Sequence, residues 1–488
     1  MKKFIKYLLY SILVSFSISC NEILFQDPVS QISTANFWQN EDDAKAGLRG
    51  MYARLREEAA QNFFLWGEAR SELQVQSFFI AGGLIPIFEN DLDPITSGPN
   101  WMGLYTSLHD ANLLLKYVPN IEFSSTDEKN DILAQAHATR AFIYYLLVKT
   151  WGEVPLVIEP TESFDPETTF KEKATINELF SFIKSEVDLA IELFPSNSYP
   201  DGRNLWSRPA VQVLKADVYL WTGKRLGGGN DDFNIALTSL DEAENSEISL
   251  LENYSDIFSY ENKGNEEIMM AMRFEEFEAP QTIFSNMYIS GAIMPRNTDQ
   301  ETLEAIGAGG GFAYFEIQRN VVNRFRSDDQ RKKGSFIEIY EYNADGLPEY
   351  YTSVQSKYKG LVVGGVRQFL DDFVIYRYAD LLLLRAEAKN ALGMDPSEEM
   401  NQIRQRAYGD QFSQFQFVNS SQEENDEEIL EERLFEFLLE GKYWWDLIRF
   451  NKVFEEVPSL QDNEDNLLFP IPETTLSLNP LLSQNPGY

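Results

Sequence analysis

A mainly α-helical fold is what the sequence predicts, and three observations predict it. From Leu430 to Ile448, Leu430, Leu434, Phe437, Leu438, Gly441, Trp445 and Ile448 recur at the spacing of one helix face, which must be buried. Two further helices share a frame: Val213-Leu214-Lys215-Ala216-Asp217 precedes Gly223 as Leu383-Leu384-Arg385-Ala386-Glu387 precedes Gly393. Small residues at such places let helices pack closely and a glycine past the last turn is a C-cap, so the shared frame hints at tetratricopeptide-like hairpins. Periodicity fails over 61–100 and again over 265–375, where glycines, prolines and aromatic residues collect; these stretches read as long ordered loops with a few short strands.

The first twenty residues read as a leader. Lys2, Lys3 and Lys6 precede an apolar run, Tyr7 to Ile18, that is too short to span a bilayer. The run ends Ser17-Ile18-Ser19-Cys20, which looks like a lipobox: cleavage before the cysteine and acylation of its thiol. Cys20 is the only cysteine, so no disulfide is available to an exported chain and lipidation leaves no free thiol. With 488 residues, 43% of them hydrophobic, the rest can build a large core of about three domains at roughly 150 residues each. A formal charge of -36 and a pI near 4.4 exclude a nucleic-acid partner, whose phosphates need a basic stripe.

Further helices follow in order. Glu41 to Asp43 favour a helix N-terminus, and Ala44, Leu48, Met51, Tyr52 and Leu55 make its apolar stripe. Helical spacing returns over 101–117 and 127–151, and a short strand is expected within 267–274. In the last long helix, Glu432, Glu436 and Glu440 stack four apart and repel unless basic side chains meet them. Arg433, three before Glu436, and Arg449, three after Asp446, are the local candidates, giving a core helix with salt-bridged flanks.

Little catalytic chemistry is available. Two histidines, His109 and His137, rule out a multi-histidine zinc site. Gly227-Gly228-Gly229 lacks the lysine of a phosphate-binding loop, and Asn90-Asp91-Leu92-Asp93 lacks the later glycine and glutamate of a calcium loop. No metal or cofactor is expected. A carboxylate pair for glycoside hydrolysis cannot be dismissed by counting among 77 acids.

The run Glu432-Arg433-x2-Glu436-x3-Glu440-Gly441-x2-Trp444-Trp445-Asp446-Leu447-x-Arg449 resembles the C-terminal signature of the SusD/RagB family of outer-membrane nutrient-binding lipoproteins. Phe469-Pro470-Ile471-Pro472-Glu473, Leu478-Asn479-Pro480 and Gln484-Asn485-Pro486-Gly487-Tyr488 resemble its closing segment, and Phe25-Gln26-Asp27-Pro28 with Phe37-Trp38 its mature N-terminus. Tyr443 stands where the family commonly carries an arginine. Asp328-Asp329-Gln330-Arg331 and Tyr376-Arg377-Tyr378-Ala379-Asp380-Leu381 resemble its arginine-bearing loop entry and return helix.

The resemblance implies a tetratricopeptide-like scaffold decorated by irregular loops: a leader over 1–19, an N-terminal domain over 20–225, and a C-terminal domain over 265–488 with a variable insertion at 265–375. It implies a noncatalytic lipoprotein, anchored through Cys20 on the outer face of the outer membrane, that captures oligosaccharide for a SusC-like TonB-dependent transporter. Sugars present apolar C–H faces and hydroxyl edges, so their site needs flat rings beside amides and charged groups. On that chemistry the expected platforms are Trp66, Phe88 and Tyr314, with Arg70 and Asn90 as hydrogen-bonding partners. The alternative function is a surface glycoside hydrolase using two carboxylates.

Overall fold

The computed structural model describes residues 37–163, 169–278, 282–461 and 463–488. The leader and Cys20 lie outside the described residues. Asn40 caps the first helix, α1 (Glu41–Ala59): its side chain accepts the Asp42 and Asp43 N–H groups, and the Asp43 carboxylate reaches back to the Asn40 N–H. Ala44, Leu48, Met51, Tyr52 and Leu55 are all buried, as their spacing predicts. Then come α2 (Met102–Tyr117), α3 (Thr126–Trp151), α4 (Ile176–Leu193), α5 (Arg208–Arg225) and α6 (Gly229–Ala243). Each packs on the next, so the chain stacks helices in sequence order. From Ala138 to Trp151, α3 is buried on every side, which places it at the centre of the stack.

The stack continues with α7 (Tyr378–Ala391), which packs directly on α6, and with α8 (Ser397–Tyr408) and α9 (Gln422–Phe437), which pack on α7. Residues 244–377 are therefore looped out between two touching helices. This is the tetratricopeptide-like, helix-dominated fold that was expected. Its strands are short and antiparallel, in two-stranded pairs. In chain order they are β1 (Gln74–Gln76), β2 (Val154–Pro155), β3 (Lys173–Ala174), β4 (Ile268–Met272) and β5 (Phe315–Ile317). Then follow β6 (Phe336–Tyr342), β7 (Pro348–Gln355), β8 (Leu361–Val363), β9 (Val366–Gln368) and β10 (Phe373–Arg377). β4 pairs with β10, which closes the base of the looped-out segment.

The C-terminal helix differs from its sequence reading. The apolar face from Leu430 to Ile448 is carried by two helices, α9 and α10 (Tyr443–Arg449), with left-handed backbone at Leu439 (φ 73°) and Gly441 (φ 70°) between them. The break is clamped from far away: the buried Glu68 carboxylate accepts the Leu439 N–H at 2.7 Å and the Gly441 N–H at 2.9 Å. A Cβ on Gly67 would stand 1.8 Å from the Gly441 carbonyl oxygen, so the two backbones touch where the helix breaks.

Glu432, Glu436 and Glu440 lie in the core and not on a solvated flank, at 2%, 0% and 1% exposure. Their partners are distant in sequence. Arg377 pairs with Glu436 at 2.6 Å, Glu267 at 2.7 Å and Glu440 at 2.8 Å, while Arg331 meets Glu432 at 2.6 Å and Lys357 meets Glu440 at 2.7 Å. Arg406 also pairs with Glu436. Arg433 turns from Glu436 to Asp446, at 2.8 Å, while Arg449 does meet Asp446, at 3.0 Å. Arg449 also explains the shared helix frame: the matching acids of the two frames, Asp217 and Glu387, both bind it, each at 2.9 Å. The matching glycines do not match in role. Gly393 has φ 73° just past α7, whereas Gly223 lies inside α5, where a Cβ would meet the Phe233 ring at 2.3 Å.

A pH dependence follows. Burial by itself raises a carboxyl pKa, but Arg406, Arg377 and Arg331 hold Glu436 well below the ordinary range, and Arg377, Lys357 and Lys442 hold Glu440 down to about 2. Both folded-state values lie below the 4.5 of a free glutamate, so this stabilisation is complete above that pH and is lost as pH falls toward 2. The melting temperature is expected to drop through that window, and to drop less steeply in Glu440→Gln; parallel pH profiles for the two proteins would contradict the assignment.

Candidate functional site

The five residues expected to bind ligand are not brought together. Trp66 is fully buried, its indole N–H donating to the Pro99 carbonyl at 3.3 Å and its ring set edge-on to Trp151. Phe88 is buried too, stacked on Phe315 with ring centroids 3.8 Å apart. Neither presents a face to a ligand, which corrects their reading as platforms. Arg70 is also fully buried: its Nε donates to Asn90 Oδ1 at 2.8 Å, its Nη1 reaches the Leu467 and Leu468 carbonyls at 3.3 Å, and its guanidinium lies over Trp444. Asn90, in left-handed backbone at φ 55°, donates back to the Arg70 carbonyl at 3.1 Å. Arg70 and Asn90 therefore staple the first loop region to the C-terminal segment. Tyr314 alone of the five is part of an aromatic surface.

That surface is built by β1 and β5. Gln74 pairs with Ile317 and Gln76 with Phe315, and the contact continues past the strands: the Ser77 N–H donates to the Tyr314 carbonyl at 2.8 Å and the Phe79 N–H to the Ala313 carbonyl at 3.2 Å. The 312–314 segment is held on its other side, where the Phe312 and Tyr314 N–H groups donate to the Ser285 and Asn286 carbonyls, each at 2.8 Å. Gly311 permits the approach, since a Cβ there would stand 2.2 Å from the Ser285 carbonyl oxygen. Phe312 and Tyr314 stack nearly parallel, centroids 5.4 Å apart, and Phe78 lies 4.9 Å from Tyr351. Exposure is 40% at Phe78, 46% at Phe79, 69% at Ile80 and 52% at Phe312, far more than a core would leave. Large apolar groups grouped in the open mark an interaction site.

From Phe79 and Ile80 the chain runs straight into the wall of a surface cleft of about 490 Å³, within the range of small-molecule sites. Gln61, Asn62, Thr96 and Asn100 line it together with Leu65, Pro86 and Ile95. Glu58 is the one carboxylate in that lining; burial raises its pKa, and Asn62 donates to it at 2.7 Å. Hydrolysis of a glycosidic bond uses two carboxyl groups across a cleft, which this lining lacks. Beside the aromatic ledge, Glu316 accepts from Ser77 at 3.2 Å and from Thr352. Among the described residues no group of three His, Cys, Asp or Glu side chains could hold a metal ion.

Sequence reasoning passed over Phe78, Phe79 and Phe312 as binding residues. The available signal was a Phe-Phe-Ile run in a stretch without periodicity and a Phe directly after three small residues, Gly309 to Gly311.

The described residues thus form a sequential helical stack with an aromatic ledge and an amide-lined cleft on its loops. A family model described as the SusD family matches residues 365–460, and one described as starch-binding associating with outer membrane matches residues 32–220. The solved structure of NanU from B. fragilis is 33% identical and superposes with a TM-score of 0.85 over 95% of this chain and 100% of that one. SusD-like protein P38 of Formosa agariphila is 28% identical over the whole of both chains. The starch-binding protein SusD of Bacteroides thetaiotaomicron is 22% identical over 73% of this chain and 72% of its own. The chain belongs to the SusD family. Among the described residues no helix is long and apolar enough to cross a membrane.

Proposed function

We propose that the protein captures oligosaccharide at the cell surface, held to the outer face of the outer membrane by lipid on Cys20, and hands it to a SusC-like TonB-dependent transporter. The observation that carries the binding role is the ledge: Phe78, Phe79 and Phe312 offer exposed rings for the C–H faces of sugars, with the half-buried Tyr314 stacked on Phe312, beside a cleft of amides for their hydroxyls. The starch-binding name of a relative and the outer-membrane description of the matching family model support this reading. The leader and Cys20 support the anchor, for several acyl chains at about 0.8 kcal/mol per buried methylene hold stably where one does not.

The test is calorimetric titration of the mature protein against plant, host and microbial oligosaccharides, with newly released reducing ends assayed in the same samples. Binding without release is expected; release would establish a hydrolase instead. Each ring stacked on a sugar is worth about 0.5–1.5 kcal/mol beyond its area, so Phe79→Ala with Phe312→Ala is expected to weaken binding roughly five- to hundredfold with an unchanged melting temperature. Unchanged affinity would remove the ledge from the proposal. For the anchor, Cys20→Ala is expected to leave the membrane fraction.

A further inference from the structure

Behind the helix break lies an interior cavity of about 50 Å³ that shares no lining residue with the surface cleft. Its walls carry hydrogen-bond donors with nothing to bind. Lys149, 6% exposed, holds its ammonium 3.9 Å from the ring centroids of both Tyr145 and Trp445, and no oxygen among the described residues accepts from it. Arg433, 3% exposed, spends Nε on Asp446 and leaves Nη1 unpaired. The indole N–H of Trp445, 7% exposed, is unpaired as well.

The acids of the same wall are already engaged. Asp217 accepts from Arg449 and Tyr376, each at 2.9 Å, and Asp446 from Arg433 at 2.8 Å and Arg449 at 3.0 Å. Both oxygens of Asp380 are taken by Lys442, and those of Glu440 by Arg377 and Lys357. The wall thus offers three unpaired donors, while every one of its carboxylate oxygens already accepts at least one hydrogen bond. One water has two lone pairs for three donors, and its own hydrogens would have to share acids that are already bound. An anion accepts from every donor and donates nothing.

We propose that this cavity is an internal binding site for a small monovalent anion of halide size, held by Lys149 Nζ, Arg433 Nη1 and Trp445 Nε1. The volume exceeds the roughly 10–15 Å³ one water needs on this measure and is far below the ~300 Å³ at which small-molecule sites begin, so a sugar ring is excluded. Burial pulls the Lys149 ammonium down only to about 8, which leaves it mostly charged at neutral pH. The site is separate from the proposed ledge, and either assignment can fail alone.

Two measurements on the mature protein test it. Crystals soaked in sodium bromide are expected to show an anomalous peak within hydrogen-bonding distance of Lys149 Nζ and Arg433 Nη1. Melting in sodium chloride against sodium gluconate at equal ionic strength is expected to show a saturable rise of a few degrees in chloride alone, and Lys149→Met is expected to abolish it. Water density without an anomalous peak overturns the proposal. So does an adventitious ion only, that is, a bromide peak with no chloride-specific rise. If Lys149→Met does not fold, the two measurements on the unaltered protein decide.

Discussion

Replacing Arg377 with methionine is expected to destabilise the protein by about 3–5 kcal/mol, the cost of stranding buried charge. Arg377 is fully buried and touches Glu267, Glu436 and Glu440, and its Nη2 also donates to the Glu436 carbonyl at 2.8 Å. Methionine fills a similar volume but leaves three carboxylates short of the same cation. Arg377→Lys is expected to recover only part of the loss, because an ammonium cannot span these partners as the planar fork does. Denaturant midpoints measure both effects. A methionine variant within about 0.5 kcal/mol of the parent, the range of ordinary surface changes, would show that the ion network contributes nothing net.

Gly67→Ala is expected to cost at least about 3 kcal/mol or to prevent folding, the upper end of what overpacking does. The new methyl would lie 1.8 Å from the Gly441 carbonyl oxygen and 2.8 Å from the Trp445 ring. Neither can withdraw easily, since Glu68 holds the Gly441 N–H and Trp445 sits in the core. Gly50→Ala is the control. A Cβ there meets nothing within 4 Å, so the change is expected to be neutral or to stabilise by up to about 1 kcal/mol through helix propensity. Equal stability of Gly67→Ala and the parent would mean that the backbone contact is looser than described.

Much of the helical stack was legible because amphipathic helices carry their burial pattern locally, as Ala44 to Leu55 do in α1. The break between α9 and α10 was not, because the apolar spacing runs on through Leu438 and Gly441 while the cause, Glu68 with the Gly67 backbone, lies some 370 residues earlier. Likewise the spacing of Glu432, Glu436 and Glu440 showed that cations were needed but not that Arg331, Arg377 and Arg406 would supply them. The site was the least legible part. Trp66 lies in the short helix Asn62–Gly67, whose residues from Phe63 onward are all buried, while Phe79, further along the same loop region, turns outward; both read alike in a stretch without periodicity. Only the pairing of β1 with β5 separates them.

The staple at Arg70 bears on how the chain acquires its structure. Arg70 binds backbone oxygens of Asn466 to Leu468, nearly four hundred residues downstream, and the Trp151 carbonyl at the end of the central helix is met by Asn485 at 2.9 Å. Contacts of such separation form late, because the closure entropy of the intervening chain comes before any gain. The first third of the protein holds buried polar groups whose partners come from its far C-terminal segment. Deleting residues from Asn485 onward is therefore expected to loosen the N-terminal helices as well as the tail, because the Trp151 carbonyl loses its partner.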